Sequence, residues 1–456
     1  KYHRITQKVL ITFFCCELEI LFNGRMEIYK ILFSNVLLKV DNNVFGTTLQ
    51  VNDIIANGVL KFGLDVEQEI HRTRGVSLIE QRDNIVLSPT SLAAILAIVL
   101  AGSAGRTFDE ASKVLGLEAG IDISQNSEIV HQMFGVLLSQ LQSKESAGIL
   151  LPQLNFATAA YVKTNLLSRE IYQTDIFNVD FARNGKGAEE MINTWVRQKT
   201  KGKITSILNH VPGPGTAMIL LSALYFNGEW DQYFLDGATK RPFFIEPNET
   251  VNVNMMYNGG TFPFYLDKKL GAKIIGFPYK GRELSNNVIL FQFKITLREF
   301  KNKLTVDIIE NLIKNAKNET CIVGFPRMKL STSLSLRPTL AALGLESLFD
   351  PVTADLSLIS QSNANLPSYG LDSLRNSANL VNPHLFATDV LQKVEIDITE
   401  KGTEAAAVTS VVLERDGSQK RFIANRPFIF FIRHDPSKLV LFWGTINVPT
   451  PNYPTT

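Results

Sequence analysis

The chain has 456 residues, 45% of them hydrophobic and 20% charged, with a formal net charge of +2 at pH 7. That balance gives no electrostatic footprint for nucleic acid, and no uninterrupted apolar run reaches the length of a membrane span. Of three cysteines, Cys15 and Cys16 lie near the start and only Cys321 in the body, so the body has no disulfide framework, a usage compatible with either redox compartment.

Lys1 to Cys16 has a basic start and an apolar Val9-Leu10-Ile11-Thr12-Phe13-Phe14-Cys15-Cys16 core, which reads as a secretory signal or as non-native sequence. Met26 opens a second, shorter candidate, interrupted by Lys30 and Lys39. Neither has a clean small-residue cleavage site. Residues 1–51 are set apart as an N-terminal extension. With no linker and no internal repeat after them, one large domain is expected over 52–450, with 451–456 as a tail.

Residues 52–73 carry an apolar stripe of Ile54, Ile55, Val59, Leu60, Leu64, Val66 and Ile70 and read as a helix. Asn84-Ile85-Val86-Leu87 is a short buried strand. Ser88 caps the next helix and Pro89 takes its first position, where a missing N–H costs nothing. Leu92 to Leu100 is apolar on every side, so this helix is expected at the centre. Thr107-Phe108-Asp109-Glu110 has capping-box spacing for the helix after it. Residues 127–143 read as an amphipathic helix, and Leu154–Val162 and Met218–Trp230 as strands. Asn248-Glu249-Thr250 and Asn318-Glu319-Thr320 are acceptor sequons for N-glycosylation. Val440–Val448, with Gly444 inside it, is the last core strand.

The stretch from Val394 to Ile432 is the most informative. Val394, Ile396 and Ile398 alternate with Glu395, Asp397 and Thr399, a half-buried strand. Pro427-Phe428-Ile429-Phe430-Phe431-Ile432 is a buried one. About 25 residues lie between them, too many for an idle loop in a compact domain. Thr403 to Asp416 has no Gly or Pro and is fit to pair as a strand, an aggregation hazard if left exposed. Thr403, Ala405, Ala407, Thr409, Val411 and Leu413 share one small, uncharged face; Glu404 and Glu414 lie on the other. Gly402, at the root, supplies the free dihedrals a hinge needs.

No catalytic constellation accompanies this loop. The six histidines are scattered, and none forms a zinc motif. Gly102-Ser103-Ala104-Gly105 is not a nucleophile elbow. Gly213-Pro214-Gly215 is a lone turn, and Gly202-Lys203 lacks the rest of a P-loop. No metal and no cofactor is expected, and the chain does not read as an enzyme.

Glu400-Lys401-Gly402-Thr403-Glu404-Ala405-Ala406-Ala407 resembles the proximal hinge of the serpins, and Phe422-Ile423-Ala424-Asn425-Arg426-Pro427-Phe428 resembles the serpin signature beyond the loop. The Ser88–Ser91 run, the Ile192–Val196 helix with its Thr200–Ile204 turn, and Leu343–Ser357 are similar to other serpin stretches. The resemblance covers roughly residues 52–450. Two segments depart from it: 164–181 is short for the family's helix, and 286–300 lacks a Pro-containing turn.

The resemblance implies an α+β fold of three β-sheets, with a large central sheet A, eight to nine surrounding helices and an exposed reactive-centre loop. It implies a suicide-substrate inhibitor of a serine endopeptidase. Cleavage of the loop forms an acyl-enzyme, and the freed strand inserts into the central sheet and drags the protease with it. The expected state is a metastable monomer at risk of polymerisation, with no nucleic-acid or membrane partner. The hinge residues would be Glu400, Gly402, Thr403, Ala405, Ala406, Ala407 and Thr409; Val408 is bulkier than usual but faces solvent by parity. Beneath the sheet, where strands part, Ser88 and Ser91 would meet Ser222 and Gln392. The last two stand where the family usually has Asn and His. Counting from either end of the loop puts the primary-specificity residue at Asp416 with Gly417 after the bond, which suits an Asp-specific protease. Arg415 offers the rival bond to a trypsin-like one. The alternatives are a non-inhibitory carrier or chaperone and a cross-class inhibitor of a caspase-like protease. An extracellular, glycosylated protein is expected, or a cytoplasmic one if the target is caspase-like.

Overall fold

A computed structural model describes residues 44–73, 83–116, 135, 138, 141, 152–162, 175–246, 248–291, 295–358, 382, 385–402 and 420–449. The chain divides into two compact units, Lys1–Val51 and Asn52–Thr456. Of the first, the described residues 44–51 are helical.

The helices are α1 (Val44–Thr73), α2 (Pro89–Gly102), α3 (Gly105–Val114), α4 (Gly185–Lys199), α5 (Leu297–Lys301), α6 (Val306–Asn315) and α7 (Arg337–Ala342), with a 3-10 turn at Ser347–Phe349. The strands are β1 (Ile85–Leu87), β2 (Gln153–Val162), β3 (Asp175–Asn178), β4 (Met218–Asn227), β5 (Thr239–Glu246), β6 (Glu249–Asp267), β7 (Ala272–Pro278), β8 (Leu284–Phe291), β9 (Lys317–Pro326), β10 (Met328–Ser335), β11 (Asp389–Ile398), β12 (Lys420–Ile423), β13 (Phe428–His434) and β14 (Val440–Ile446).

The central sheet has five strands in the order β10-β11-β4-β2-β3. Its middle is covered on both faces. Ile219, Leu221 and Ala223 of β4 pack with Ala188, Ile192, Trp195 and Val196 of α4. The alternate residues turn toward α2, which is buried along its whole length. Successive residues of a strand face opposite sides, so β4 has to be largely apolar, and it reads M-I-L-L-S-A-L-Y-F-N with buried hydroxyls only at Ser222 and Tyr225. β11 alternates strictly, burying Val390, Gln392, Val394, Ile396 and Ile398.

The other strands join into one nine-stranded sheet, eight of them in the order β1-β14-β13-β8-β7-β6-β9-β12, with β5 beside β6. Three separate sheets were implied by resemblance. Among the described residues two of them are continuous because β6 runs for 19 residues: one end pairs with β5, the other with β7, and β9 pairs with the stretch between, Met255 to Phe264. Seven α-helices are bounded among the described residues, and residues 135 and 138 are helical as well.

Several boundaries shift. α1 begins at Val44, ahead of residue 52, and Ile54 and Leu64 of its stripe are only half-buried. β4 ends at Asn227, short of Trp230, and β14 at Ile446, short of Val448. Ser88 does cap α2, accepting the Ser91 N–H at 3.3 Å, with Pro89 in the first turn. The capping box at Thr107 does not form. α3 already starts at Gly105, and tertiary partners take both side chains: Thr107 Oγ1 accepts from the Asp355 N–H, and Glu110 accepts from the Ser347 N–H. The 127–143 helix lies, apart from residues 135, 138 and 141, outside the described residues, as do 163–174 and 292–294.

Candidate functional site

β11 and β4 run parallel and pair from Asp389↔Ile219 to Ile396↔Phe226. β10 pairs antiparallel with β11 on one side, and β2 antiparallel with β4 on the other. The middle of the sheet is therefore a parallel seam flanked by antiparallel ladders. Parallel pairing is slightly the weaker per residue, and one strand slipped antiparallel into the seam would make every pair from β10 to β2 antiparallel, leaving only β2–β3 parallel.

Beneath the seam lie the four residues expected to meet there. Ser88, Ser91, Ser222 and Gln392 are all fully buried. Gln392 stands opposite Ser222 in the register. The Gln392 amide donates to Ser91 Oγ at 2.8 Å and to Ser88 O at 3.1 Å, and its oxygen accepts the Ser88 N–H at 3.0 Å. Ser222 Oγ donates to Ser91 Oγ at 2.8 Å. Ser91 donates in turn to Ser88 O at 3.3 Å. The glutamine uses both amide hydrogens and its oxygen, as a buried amide must.

At the end of the seam the chain has already reversed. Thr399 N–H donates to Gly402 O at 2.9 Å and Gly402 N–H to Thr399 O at 3.2 Å. On its other side Gly402 forms an antiparallel bridge with Glu229, just past β4. Its φ is +110°, and a Cβ there would stand 2.1 Å from Gly228 O. Only glycine fits. The reversal is bolted down: Trp230 N–H donates to Lys401 O, Phe234 N–H to Glu400 O at 2.8 Å, and Trp230 Nε1 to Thr399 O at 2.9 Å. The Trp230 ring stacks on Tyr279 at 4.4 Å. Glu400 is buried and pairs with buried Arg327 at 3.3 Å.

Glu229 is itself buried. Tyr233 Oη donates to its carboxylate at 2.5 Å and Lys280 Nζ donates to the same oxygen. Burial pushes the carboxyl up, but the bonds from Lys280 and Tyr233 outweigh it and hold the group below the usual carboxylate range.

Of the hinge residues, Glu400 and Gly402 are in this turn. Thr403, Ala405, Ala406, Ala407 and Thr409, and the reactive-bond residues Arg415, Asp416 and Gly417, lie outside the described residues. Beyond the loop, β12 pairs in parallel with β9, Phe422 and Ala424 are buried, and Arg426 Nε donates to Phe291 O at 2.8 Å. Asn248 is exposed between β5 and β6, and Asn318 is exposed on β9. Among the described residues no cluster of three His, Cys, Asp or Glu could hold a metal, and no helix is long and apolar enough to cross a membrane. Cys321 is a buried free thiol, pushed up to about 11 by burial and by Glu319.

Sequence reasoning missed Glu229, Trp230, Lys280 and Arg327. They reach the turn from connections far apart in the chain, and no local pattern marks such a convergence.

Residues 58–449 match the family described as "Serpin (serine protease inhibitor)". "Serine protease inhibitor 28Dc" of Drosophila melanogaster is 32% identical over 448 residues, covering 88% of this chain and 80% of its own. "Intracellular coagulation inhibitor 2" of Tachypleus tridentatus is 32% identical, covering 81% of this chain and 86% of its own. Bovine (Bos taurus) "Leukocyte elastase inhibitor" is also 32% identical, covering 80% and 93%. Among solved structures, Serpin48 of the insect Tenebrio molitor superposes with a TM-score of 0.69 at 26% identity, covering 87% of this chain and 98% of its own. Mouse protein-Z dependent protease inhibitor reaches 0.71 at 24% identity, covering 89% and 99%, which is a likeness of fold. With a family match over most of its length, this chain belongs to the serpins.

Proposed function

We propose that this serpin is a suicide-substrate inhibitor of a serine endopeptidase. The observation that carries the reading is the parallel β11–β4 seam with the chain already reversed at its mouth. The protease serine attacks the carbonyl of residue 415 or 416. An ester forms, the peptide bond breaks, and the new amino terminus departs. The segment from Thr403 onward then enters the seam antiparallel to both neighbours. About a dozen residues pairing at ~1 kcal/mol net per hydrogen bond release on the order of ten kcal/mol, enough to carry the tethered protease along and distort its active site before the ester hydrolyses. The chain works as consumed bait and not as a catalyst.

In this reading Glu400, Gly402, Thr403, Ala405, Ala406, Ala407 and Thr409 form the hinge, and Ser88, Ser91, Ser222 and Gln392 the latch over which strands part. Arg415–Asp416 serves a trypsin-like target and Asp416–Gly417 an Asp-specific one. The printed functions of the Drosophila, Tachypleus and bovine relatives support inhibition over a carrier role. The test is electrophoretic. Mixing with a serine protease leaves a complex that survives SDS; a clipped chain with fully active protease would refute the inhibitor.

Secretion belongs to the same proposal, since Asn248 and Asn318 are both exposed and open to glycosylation. The name of the Tachypleus relative supports an intracellular protein instead. A mass shift on enzymatic removal of N-glycans from native material distinguishes the two.

A further inference from the structure

We propose that Glu229 is a positioning residue for loop insertion, acting through its own main chain; this rests on the inhibitory reading above. Gly402 is the first rung of the strand that enters the seam. It is already paired with Thr399 on the β11 side and with Glu229 on the β4 side. Insertion therefore lengthens an existing ladder. The β4-side rung is Glu229, two residues beyond the end of β4, where no strand holds it.

What holds it is the turn between β7 and β8. Lys280 N–H donates to Glu229 O at 2.8 Å, while Lys280 Nζ and Tyr233 Oη both donate to the Glu229 carboxylate. The Lys280 ammonium also lies 5.0 Å over the Tyr233 ring. Two residues on, Asp231 N–H donates to Pro278 O at 2.9 Å, and Arg282 clamps the Asp231 carboxylate at 2.8 and 3.1 Å. The Glu229 side chain is thus fixed by Lys280 and Tyr233, and its backbone, bonded to Lys280 and bridged to Gly402, presents a rigid edge. Without the carboxylate the edge is mobile, and insertion has to order it again at each attempt. The resulting delay favours hydrolysis of the acyl-enzyme over trapping.

Insertion can be read without any trapping by cutting the loop with a metalloprotease, whose nucleophile is a metal-activated water and which leaves no acyl-enzyme. The readouts are the rate at which the cut full-length chain gains heat resistance and the fluorescence of Trp230 beside the turn. Glu229→Gln and Lys280→Met should leave the cleavage rate unchanged and slow insertion about tenfold, the size expected from one charge-assisted hydrogen bond. Lys280→Arg should restore most of the rate, and the double mutant should be no slower than either single mutant. Equal insertion rates in wild type and both single mutants would overturn the role of Glu229, even if the uncut variants melt earlier, because a merely structural residue gives that pattern. A wild type that gains no heat resistance on cutting would overturn the insertion reading itself and this proposal with it.

Discussion

Gln392 on β11 and Ser222 on β4 face each other across the parallel seam and both donate to the hydroxyl of Ser91. Two strands and the helix beneath them are thereby tied through one oxygen. Gln392→Ala strands the Ser88 N–H in a fully buried site. The expected loss is about 1–3 kcal/mol, read as a lower unfolding midpoint, with more polymer on mild heating. Because both bonds converge on Ser91, Ser222→Ala should be non-additive with it. A double-mutant cycle with no coupling beyond about 0.3 kcal/mol would remove the latch from the account.

In the proposed mechanism Thr403, which follows the doubly paired Gly402, is the first residue to enter the seam. Thr403→Arg forces a guanidinium toward a site with no partner, at a cost of several kcal/mol. Inhibition should disappear while loop cleavage continues at the wild-type rate. A variant that still forms stable complexes at the wild-type stoichiometry shows that insertion does not begin here.

The reactive bond is separable by two substitutions. Arg415→Ala should end inhibition of trypsin-like proteases if Arg415–Asp416 is the bait. Asp416→Ala should spare that activity and abolish trapping of an Asp-specific protease. If neither changes trapping, the protease reads another bond, and mass spectrometry of the cut chain identifies it.

Glu67 on α1 is buried and accepts from Trp443 Nε1 at 2.7 Å, from Thr445 Oγ1 and from Lys301 Nζ at 2.7 Å, with His71 Nε2 at 3.7 Å. Burial pushes this carboxyl up, but the Lys301 charge and His71 outweigh it, and its pKa lies well below the usual range. A depressed pKa stabilises the fold above the ordinary carboxylate value, and that stability is lost as the pH falls through the folded one. Glu67→Gln should cost about 3 kcal/mol at neutral pH by leaving Lys301 without its counter-charge. It should also flatten the decline in stability between about pH 5 and pH 2. An unchanged acid limb in denaturant titrations would remove Glu67 from it.

The elements most legible in the sequence were those whose neighbours are local or whose pattern is periodic. β11 alternates as its residues do, α2 is apolar all round and buried all round, and Ser88 caps where its side chain must. The meeting of Ser222 and Gln392 with Ser91 was expected in another way, from the resemblance. Ser222 and Gln392 depart together from the family pattern, and their register pairing puts them face to face. What stayed hidden depends on partners far along the chain. Thr107 and Glu110 have the spacing of a local cap, yet bonds to Asp355 and Ser347 outcompete it. Glu229 and Arg327 sit among ordinary surface-like charges in sequence, and only the fold brings them to Gly402 and Glu400. The joining of two expected sheets follows from the length of β6, which runs straight on through Asn258-Gly259-Gly260, a turn signal in sequence that the strand overrides.

The pairing of β1 with β14, Ile85 against Thr445 and Leu87 against Trp443, bears on how this protein is made. Asn84 also accepts from the backbone of Asn447 and Val448. A ribosome adding roughly 5–20 residues per second delivers the second half of this contact tens of seconds after the first. Until then α2, apolar on every side, has no β14 to lie against. The nascent chain must wait with that face of the helix uncovered, though α3, β2 and β4 have already been made. Its yield in the cell should therefore track the supply of chaperones during synthesis more closely than the equilibrium stability of the finished fold.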